Sequence, residues 1–440
     1  MRICVVGGGV SGLAAAIAAS EKGNRVTVIE HGPRVGKKLL STGNGKCNLS
    51  NTDQDLSHYH GDREFIRGIF ERVSYEDVIS FLTGIGIFTK NRNGYLYPYS
   101  EQASAVLDVL RFAARKNNVE FVLGGHVKEI ITSGDGPESG FIVNTENSES
   151  RDNDIRGKGS ADDPLRSAKN GQIPERYFDR VIIAAGSKAA PSTGSDGSGY
   201  LLAEALGHRI VKPLPALVPL RSDAAYCKEL KGVRFNAKAS VCIDGRFALS
   251  EEGEIQFTDY GLSGIPVFQL SGPVARALDQ GARVRTELDL IPFMSEKELF
   301  SYLSFRKEAD DTKQAAEFLI GLLPKSLALL VNRLCNIKNS MPVSQLSDSD
   351  TEALAGKIKG LGFNITGTQG FDKAQVCSGG VDTAEISETL ESKLLKGLYF
   401  AGEIIDVYGD CGGYNLTWAF ATGLLAGRAQ GEEIPGRRCR

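Results

Sequence analysis

The first thirty residues alternate in texture: an apolar run (Ile3 to Val6), a glycine-rich turn, a small-residue stretch (Leu13 to Ala19), then a second run, Arg25-Val-Thr-Val-Ile-Glu30. That pattern predicts strand, turn, helix and strand. Two further apolar runs, Phe178-Asp-Arg-Val-Ile-Ile-Ala-Ala-Gly186 and Gly397-Leu-Tyr-Phe-Ala-Gly-Glu403, read as strands ending in small residues. Between them the texture changes. VRFNAKASVCIDGRFALSEEGEIQFT reads as short strands with turn signals, and SEKELFSYLSFRKEADDTKQAAEFLIGLLPKSLALLVNRL carries helical apolar spacing. Residues 146–174 are polar, charged and poor in large apolar groups, which predicts a mobile surface loop.

Chemistry enters at the first turn. Gly7, Gly9 and Gly12 form G-x-G-x-x-G between the first strand and the helix. Gly7 permits a tight turn, Gly9 lets a pyrophosphate approach the backbone, and Gly12 allows helix and strand to pack closely. The helix start, at Val10 and Ser11, then faces the phosphates. Glu30 ends the second strand, where a carboxylate accepts from a ribose hydroxyl, and its charge disfavours a 2′-phosphate. A dinucleotide site follows, with FAD or NAD preferred over NADP.

Composition narrows the class. With 440 residues the chain is long enough for two or three domains and a large cofactor. The 51 basic and 54 acidic side chains leave a net charge of −3, which offers no footprint for nucleic acid or for an anionic membrane. Eight cysteines without a C-x-x-C pair argue against a disulfide framework or a metal site, and fit a reducing cytoplasm. The apolar N-terminus raises the question of a signal peptide, but its glycines and the following strand favour the nucleotide-binding reading. No unbroken run of about 18 apolar residues predicts a membrane span.

Two late segments favour flavin. The stretch 397–403 resembles the late strand of flavoproteins, G-h-h-h-A-G-D/E, whose acid (here Glu403, after Gly402) accepts from the ribitol of FAD. Ala185 and Gly186 close the earlier strand in the small-residue turn common to such proteins. GDCGGYNLTWAFATGLLAG then places Gly412 and Gly413 at the mouth of a helix. Such a helix end aims free N–H groups and positive potential at a flavin ring. Trp418, one turn in, reads as a packing residue.

Joined together, these segments resemble the BaiN-like flavoproteins, bacterial FAD-dependent oxidoreductases. The likeness rests on VGKKLLSTGNGKCNLSN (35–51), YPYSEQASAVLDVL (97–110), AAGSKAAPSTGSDGSGYLLAEALGHRI (184–210), PALVPL (215–220), GEIQFTDYGLSGIPVFQLS (253–271) and residues 374–427. Asn44 and Lys46 stand where Gly and Arg are common, and Cys377 where Thr is usual. The resemblance implies an α/β fold, with an FAD/NAD(P)-binding Rossmann-like domain made from both chain ends (1–190 and 375–440). It also implies an inserted β-barrel (191–292 and 361–374) with a helical subdomain (293–360).

It further implies that 36–51 runs along the cofactor. Lys37 or Lys38 would neutralise phosphate, Gly43 and Gly45 would allow close approach, and Cys47 and Asn48 would lie near the ring. His31, Val127, Tyr414 and Asn415 complete the expected cofactor contacts. Flavin carries the redox step in such a protein, acting on a small-molecule substrate. Candidate catalytic groups are Cys47, Tyr408 and Asp410. Cys47 lacks the C-x4-C partner of disulfide reductases, and a pairing with Cys411 stays open. His58 and His60 read as surface residues that touch substrate at most. No second G-x-G-x-x-G opens a nicotinamide domain, so an NAD(P)H donor would bind transiently over the flavin. Oxidase chemistry with O2, or a flavin-bound RNA-modification factor, are the alternatives.

Overall fold

In a computed structural model, which describes residues 1–134, 140–147, 176–309 and 312–431, the chain forms two compact units. Met1–Pro213 and Val376–Arg440 make one, Leu214–Gln375 the other. The predicted polar stretch 146–174 begins inside a strand, Gly140–Asn147, and its remainder lies outside the described residues.

The first unit is built on a five-stranded parallel sheet in the order Leu398–Phe400, Arg180–Ile183, Arg2–Val6, Arg25–Glu30, Glu120–Leu123. The strand Arg2–Val6 is central, with Val5 opposite Ile182 on one side and Val28 on the other. Buried on both faces, such strands are continuously apolar rather than alternating, as the sequence shows. The helix Val10–Glu21 buries every residue from Val10 to Ala19, so the apolar N-terminal stretch is built into the strand and core helix of this unit. A three-stranded sheet (Gly125–Ser133, Gly140–Asn147, Arg176–Phe178) accompanies it.

The C-terminal helix Tyr414–Arg428 lies along the first helix through glycines. A Cβ on Gly423 would fall 2.4 Å from the Ser11 carbonyl oxygen, and one on Gly427 would fall 2.5 Å from that of Ala15. The tenth residue of one helix therefore meets the second of the other, and the fourteenth meets the sixth. The helices are parallel and staggered by eight residues, or about 12 Å at 1.5 Å per residue. The start of the C-terminal helix projects by that length past the start of the first.

The second unit contains a closed six-stranded barrel: Leu220–Ser222, Gly261–Ser263, Arg246–Thr258, Arg234–Ile243, Val284–Asp289 and Leu361–Thr368, closing by Leu220 opposite Thr368. Ala237, Ala239 and Val241 are fully buried while Lys238 is exposed, the period-two pattern of a strand with one buried face. The sequence predicts short strands here, but 234–258 is one hairpin of two of the longest strands. Asp244 and Gly245 both take positive φ (50° and 78°), as a tight hairpin turn requires, and the two arms stay paired through Gly253 and across a register shift at Val241/Cys242. The helices Glu296–Ala309, Ala315–Phe318, Lys325–Leu334 and Asp348–Lys359 follow, the last started by a Ser347–Asp350 capping box.

One boundary moves. Residues 191–213, expected in the insert, belong to the first unit, because the helix Ser198–Ala205 buries Tyr200, Leu202 and Ala203 in that unit's core. Among the described residues no helix is long and apolar enough to cross a membrane.

Candidate functional site

The glycine fingerprint folds with its three positions in separate roles. Gly7 has φ +103°, and a Cβ there would lie 2.5 Å from the Ala184 carbonyl oxygen. A Cβ on Gly12 would lie 2.0 Å from the Gly7 oxygen, the close helix-to-strand approach for which a glycine is needed. Gly9 differs: nothing stands within 4 Å of its Cβ position, and it caps the helix without any side-chain bond. The space in front of the helix start is open. Gly8, which motif reasoning passes over, is equally constrained, since a Cβ would press to 2.5 Å from Val35 Cγ1.

Glu30 turns its carboxylate onto this turn, accepting from Gly8 N at 2.8 Å and Gly32 N at 2.7 Å. His31 lies beside it, Nδ1 3.5 Å from Glu30 Oε1, and meets the His126 ring edge-on. Val127 is buried in the core of the first unit. Ala185 and Gly186 follow the strand end, with Gly186 at φ +75° and its Cβ position 2.6 Å from Ser195 Oγ.

The late strand brings its acid back to this edge. Gly402, at φ +82°, leaves no room for a Cβ beside Ser11 Oγ (2.4 Å), and Trp418 Nε1 donates to its carbonyl at 3.2 Å. Glu403 then accepts from Ser187 Oγ at 2.6 Å through Oε1 and pairs with Lys38 Nζ at 2.6 Å through Oε2. The two lysines thus separate: Lys38 is bound to Glu403 and Lys37 is exposed. Motif reasoning missed the neighbours Ser187 and Tyr200, and marked Cys377 only as a departure from the family pattern. The Tyr200 hydroxyl is buried beside Ser187, and burial pushes the Cys377 thiol up to about 11. All three lie in stretches rich in glycine and small residues, where the sequence gives no sign of which polar group points inward.

The loop after the second strand packs on the start of the C-terminal helix. Gly43, Asn44, Gly45 and Cys47 all take positive φ, winding a tight loop in which Lys46 N donates to the Gly43 oxygen at 3.1 Å and Cys47 N to that of Thr42 at 3.0 Å. No atom lies within 4 Å of the Gly45 Cβ position, and the buried Oδ1 of Asn48 has no partner in the protein. Farther along, Ser50 crosses Gly413, whose Cβ would lie 2.6 Å from the Ser50 carbonyl carbon, and Asn51 Nδ2 donates to the Gly412 carbonyl at 3.2 Å. Gly413 caps the helix at φ +102° with no side-chain bond.

Several candidates receive other partners than expected. Asn415, expected on the cofactor, accepts from Gly409 N (2.8 Å) and donates to the Gly409 oxygen (2.7 Å), so its amide shapes the loop. Tyr414 is buried and stacks on His58 (4.4 Å between centroids). Cys47 and Cys411 are both free thiols. Burial pushes each up to about 12, far from thiolate formation at neutral pH.

The histidines carry the largest revision. His58 and His60, expected at the surface, flank Asp410. His58 Nδ1 lies 3.0 Å from Asp410 Oδ2, and His60 Nε2 lies 2.8 Å from Oδ1. His60 stacks on Tyr408 (4.6 Å), its partner in a short antiparallel pair. Sequence spacing conceals this cluster because some 350 residues separate its halves.

A dinucleotide with a flavin ring fits these features: an open glycine cap for a diphosphate, a second helix start about 12 Å farther out, and an orphan amide oxygen on the loop between. Residues 1–429 match the HI0933-like protein Rossmann domain family. The chain is 40% identical over 436 residues to a 3-dehydro-bile acid delta(4,6)-reductase of Clostridium scindens, covering 98% of this chain and 99% of that one. It is 28% identical over 421 residues to a ribosomal RNA dihydrouridine synthase of Escherichia coli, with 95% of each chain covered. Among solved structures, a 3-ketosteroid delta1-dehydrogenase from Sterolibacterium denitrificans in complex with 1,4-androstadiene-3,17-dione aligns over 98% of this chain and 99% of that one, at 12% identity and TM-score 0.48.

Proposed function

The chain belongs to the HI0933-like family and is a flavoprotein oxidoreductase; from that premise we propose that FAD is its cofactor and that it reduces a carbon–carbon double bond conjugated to a carbonyl in a steroid-like small molecule. The stagger of the two glycine-capped helices carries this reading. A diphosphate at Gly9 and a ring at Gly412–Gly413 leave the intervening length to a sugar-alcohol chain. Glu403 lies along that path, and Glu30 would meet the adenosine ribose at the other end. Bound flavin supplies two-electron chemistry, exchanging a hydride with the substrate.

The protein's own groups bind, orient and exclude water. Gly9, Val10, Ser11 and Gly12 present the helix start to phosphate, and Gly43 and Gly45 allow the loop to approach the cofactor. The positive end of the C-terminal helix favours negative charge on the ring. Asn48 offers a buried acceptor. For the electron donor we propose NAD(P)H as a transient co-substrate, and the scattered free thiols support a cytoplasmic setting.

The substrate reading rests on the 40% relative, whose name describes reduction of a steroid-type dienone. A second reading, uridine in RNA, is favoured by relatives at 27% and 28% identity. The net charge of −3 weighs against it. One experiment separates these. The purified protein is tested for bound flavin, and its spectrum is followed anaerobically with NADH, then NADPH, then a 3-oxo-4,6-diene steroid or unmodified ribosomal RNA. Bleaching by a nicotinamide and recovery with the steroid is the expected result. Recovery with RNA alone would replace the substrate reading, and failure to bind FAD would overturn the function.

A further inference from the structure

Both ring nitrogens of His58 face carboxylates, Nδ1 at 3.0 Å from Asp410 Oδ2 and Nε2 at 3.1 Å from Asp53 Oδ2. An ionised carboxylate only accepts, so satisfying both contacts needs a proton on each nitrogen. The two acids come from opposite ends of the chain. Asp53 follows the loop that packs on Gly413, and Asp410 opens the run Cys411-Gly412-Gly413.

Resting on the flavin reading above, we propose that the His58 imidazolium is a positioning residue, a clasp joining the two segments that bracket the flavin ring, so that cofactor affinity depends on its protonation. The rest of the local structure is arranged for this. Asp410 N donates to the His58 carbonyl at 2.8 Å, and the ring of His58 lies flat on Tyr414, the first residue of the C-terminal helix. His60 shares Asp410 through its other oxygen, so the loop keeps one anchor when His58 becomes neutral. The groups facing His58 are Asp410, Asp53 and, farther off, Asp55, with the Tyr414 ring against one face. His60, on the other oxygen of Asp410, is the further titratable group of the cluster.

Burial opposes charge on His58, but the hydrogen bonds to Asp410 and Asp53 outweigh it and raise its pKa. The sign follows. A group with a raised folded pKa contributes fully below its ordinary value near 6.5 and loses that contribution as pH rises through the raised one. The clasp is closed in mild acid and opens on the alkaline side.

The test is FAD affinity of the full-length apoprotein, read by flavin fluorescence from pH ~5 to above ~8, the imidazole range. It compares wild type, His58→Gln and Asp53→Asn, with nuclear magnetic resonance of the His58 ring in the apoprotein alongside. Wild type is expected to weaken about tenfold across its titration, the scale of one charged hydrogen bond. His58→Gln should be weak and flat over the same range, and Asp53→Asn should move the midpoint to lower pH. A neutral structural role would shift affinity without changing the pH profile. Identical profiles for wild type and His58→Gln, or a His58 ring that titrates below its ordinary value, would overturn the clasp alone. Absence of FAD binding at every pH would overturn the flavin reading and the clasp with it.

Discussion

Lys38 Nζ and Glu403 Oε2 stand 2.6 Å apart, joining the segment after the second strand to the end of the last strand of the parallel sheet. Both side chains are mostly covered, and Glu403 also accepts from Ser187. Losing one partner strands the other in a poorly solvated place. Glu403→Gln keeps the shape while removing the charge, and the hydrogen-bonded charge is worth ~1.5–3 kcal/mol before screening is discounted. Because the pair is partly exposed, the expected loss of FAD affinity is about tenfold, at the low end of that range. Lys38→Met should weaken FAD similarly, by leaving the carboxylate unpaired. Unchanged dissociation constants in both variants would remove Glu403 from the cofactor path.

The fingerprint glycines make opposite predictions. Gly12→Ala places a methyl 2.0 Å from a backbone oxygen and should destabilise the apoprotein by ~1–3 kcal/mol or more, the cost of overpacking. Gly9→Ala meets nothing within 4 Å, and its backbone has φ −74°, so the apoprotein should melt as wild type does. FAD affinity should nevertheless fall steeply, since the methyl stands where the diphosphate approaches. Thermal denaturation of both apoproteins and FAD titration check this. A stable Gly9→Ala that binds FAD normally would move the diphosphate elsewhere.

How much of this was legible beforehand varied with sequence distance. The strand, the three glycines and Glu30 lie within thirty residues, where local periodicity and turn chemistry decide the structure. The role of Trp418 as a packing residue was legible too, and the structure adds its bond to Gly402. The cluster of His58, His60 and Asp410 was not, because its members become neighbours only when a two-residue strand near residue 60 pairs with one near 408. The side-chain partners of Asn415 were not legible either, because its amide bonds the backbone of Gly409, which only the folded loop brings to it. The boundary at 191 failed because texture changes there, whereas packing does not change until residue 214.

Thiol chemistry is expected to be dispensable. Cys47 is fully buried at φ +60°, and both it and Cys411 are pushed up to about 12 by desolvation. Such a shift keeps the thiols protonated at neutral pH, which disfavours nucleophilic attack or disulfide exchange by either. Cys47→Ala and Cys411→Ser should retain substrate-dependent flavin reoxidation within a fewfold of wild type, as measured by stopped-flow absorbance. Loss of turnover in either variant, with flavin still bound, would restore the thiol to the mechanism.

The single tryptophan supplies the last prediction. Trp418 is 1% exposed, belongs to the first turns of the C-terminal helix, and donates through Nε1 to the carbonyl of Gly402, the residue before Glu403. Its indole therefore links the helix whose start faces the proposed ring to the strand whose acid lies on the proposed ribitol path. Trp418→Phe retains most of the packing but removes this donor, leaving the Gly402 carbonyl only the longer bond from Ile405 N at 3.3 Å, a loss of about 0.5–1.5 kcal/mol. The apoprotein should melt lower, and FAD affinity should fall because Gly402 and Glu403 lose their tether. In wild type the same indole should report on cofactor binding directly, its emission falling as FAD is added and saturating with the flavin signal. Emission that stays constant while FAD binds would place the flavin away from this helix, against the proposed arrangement.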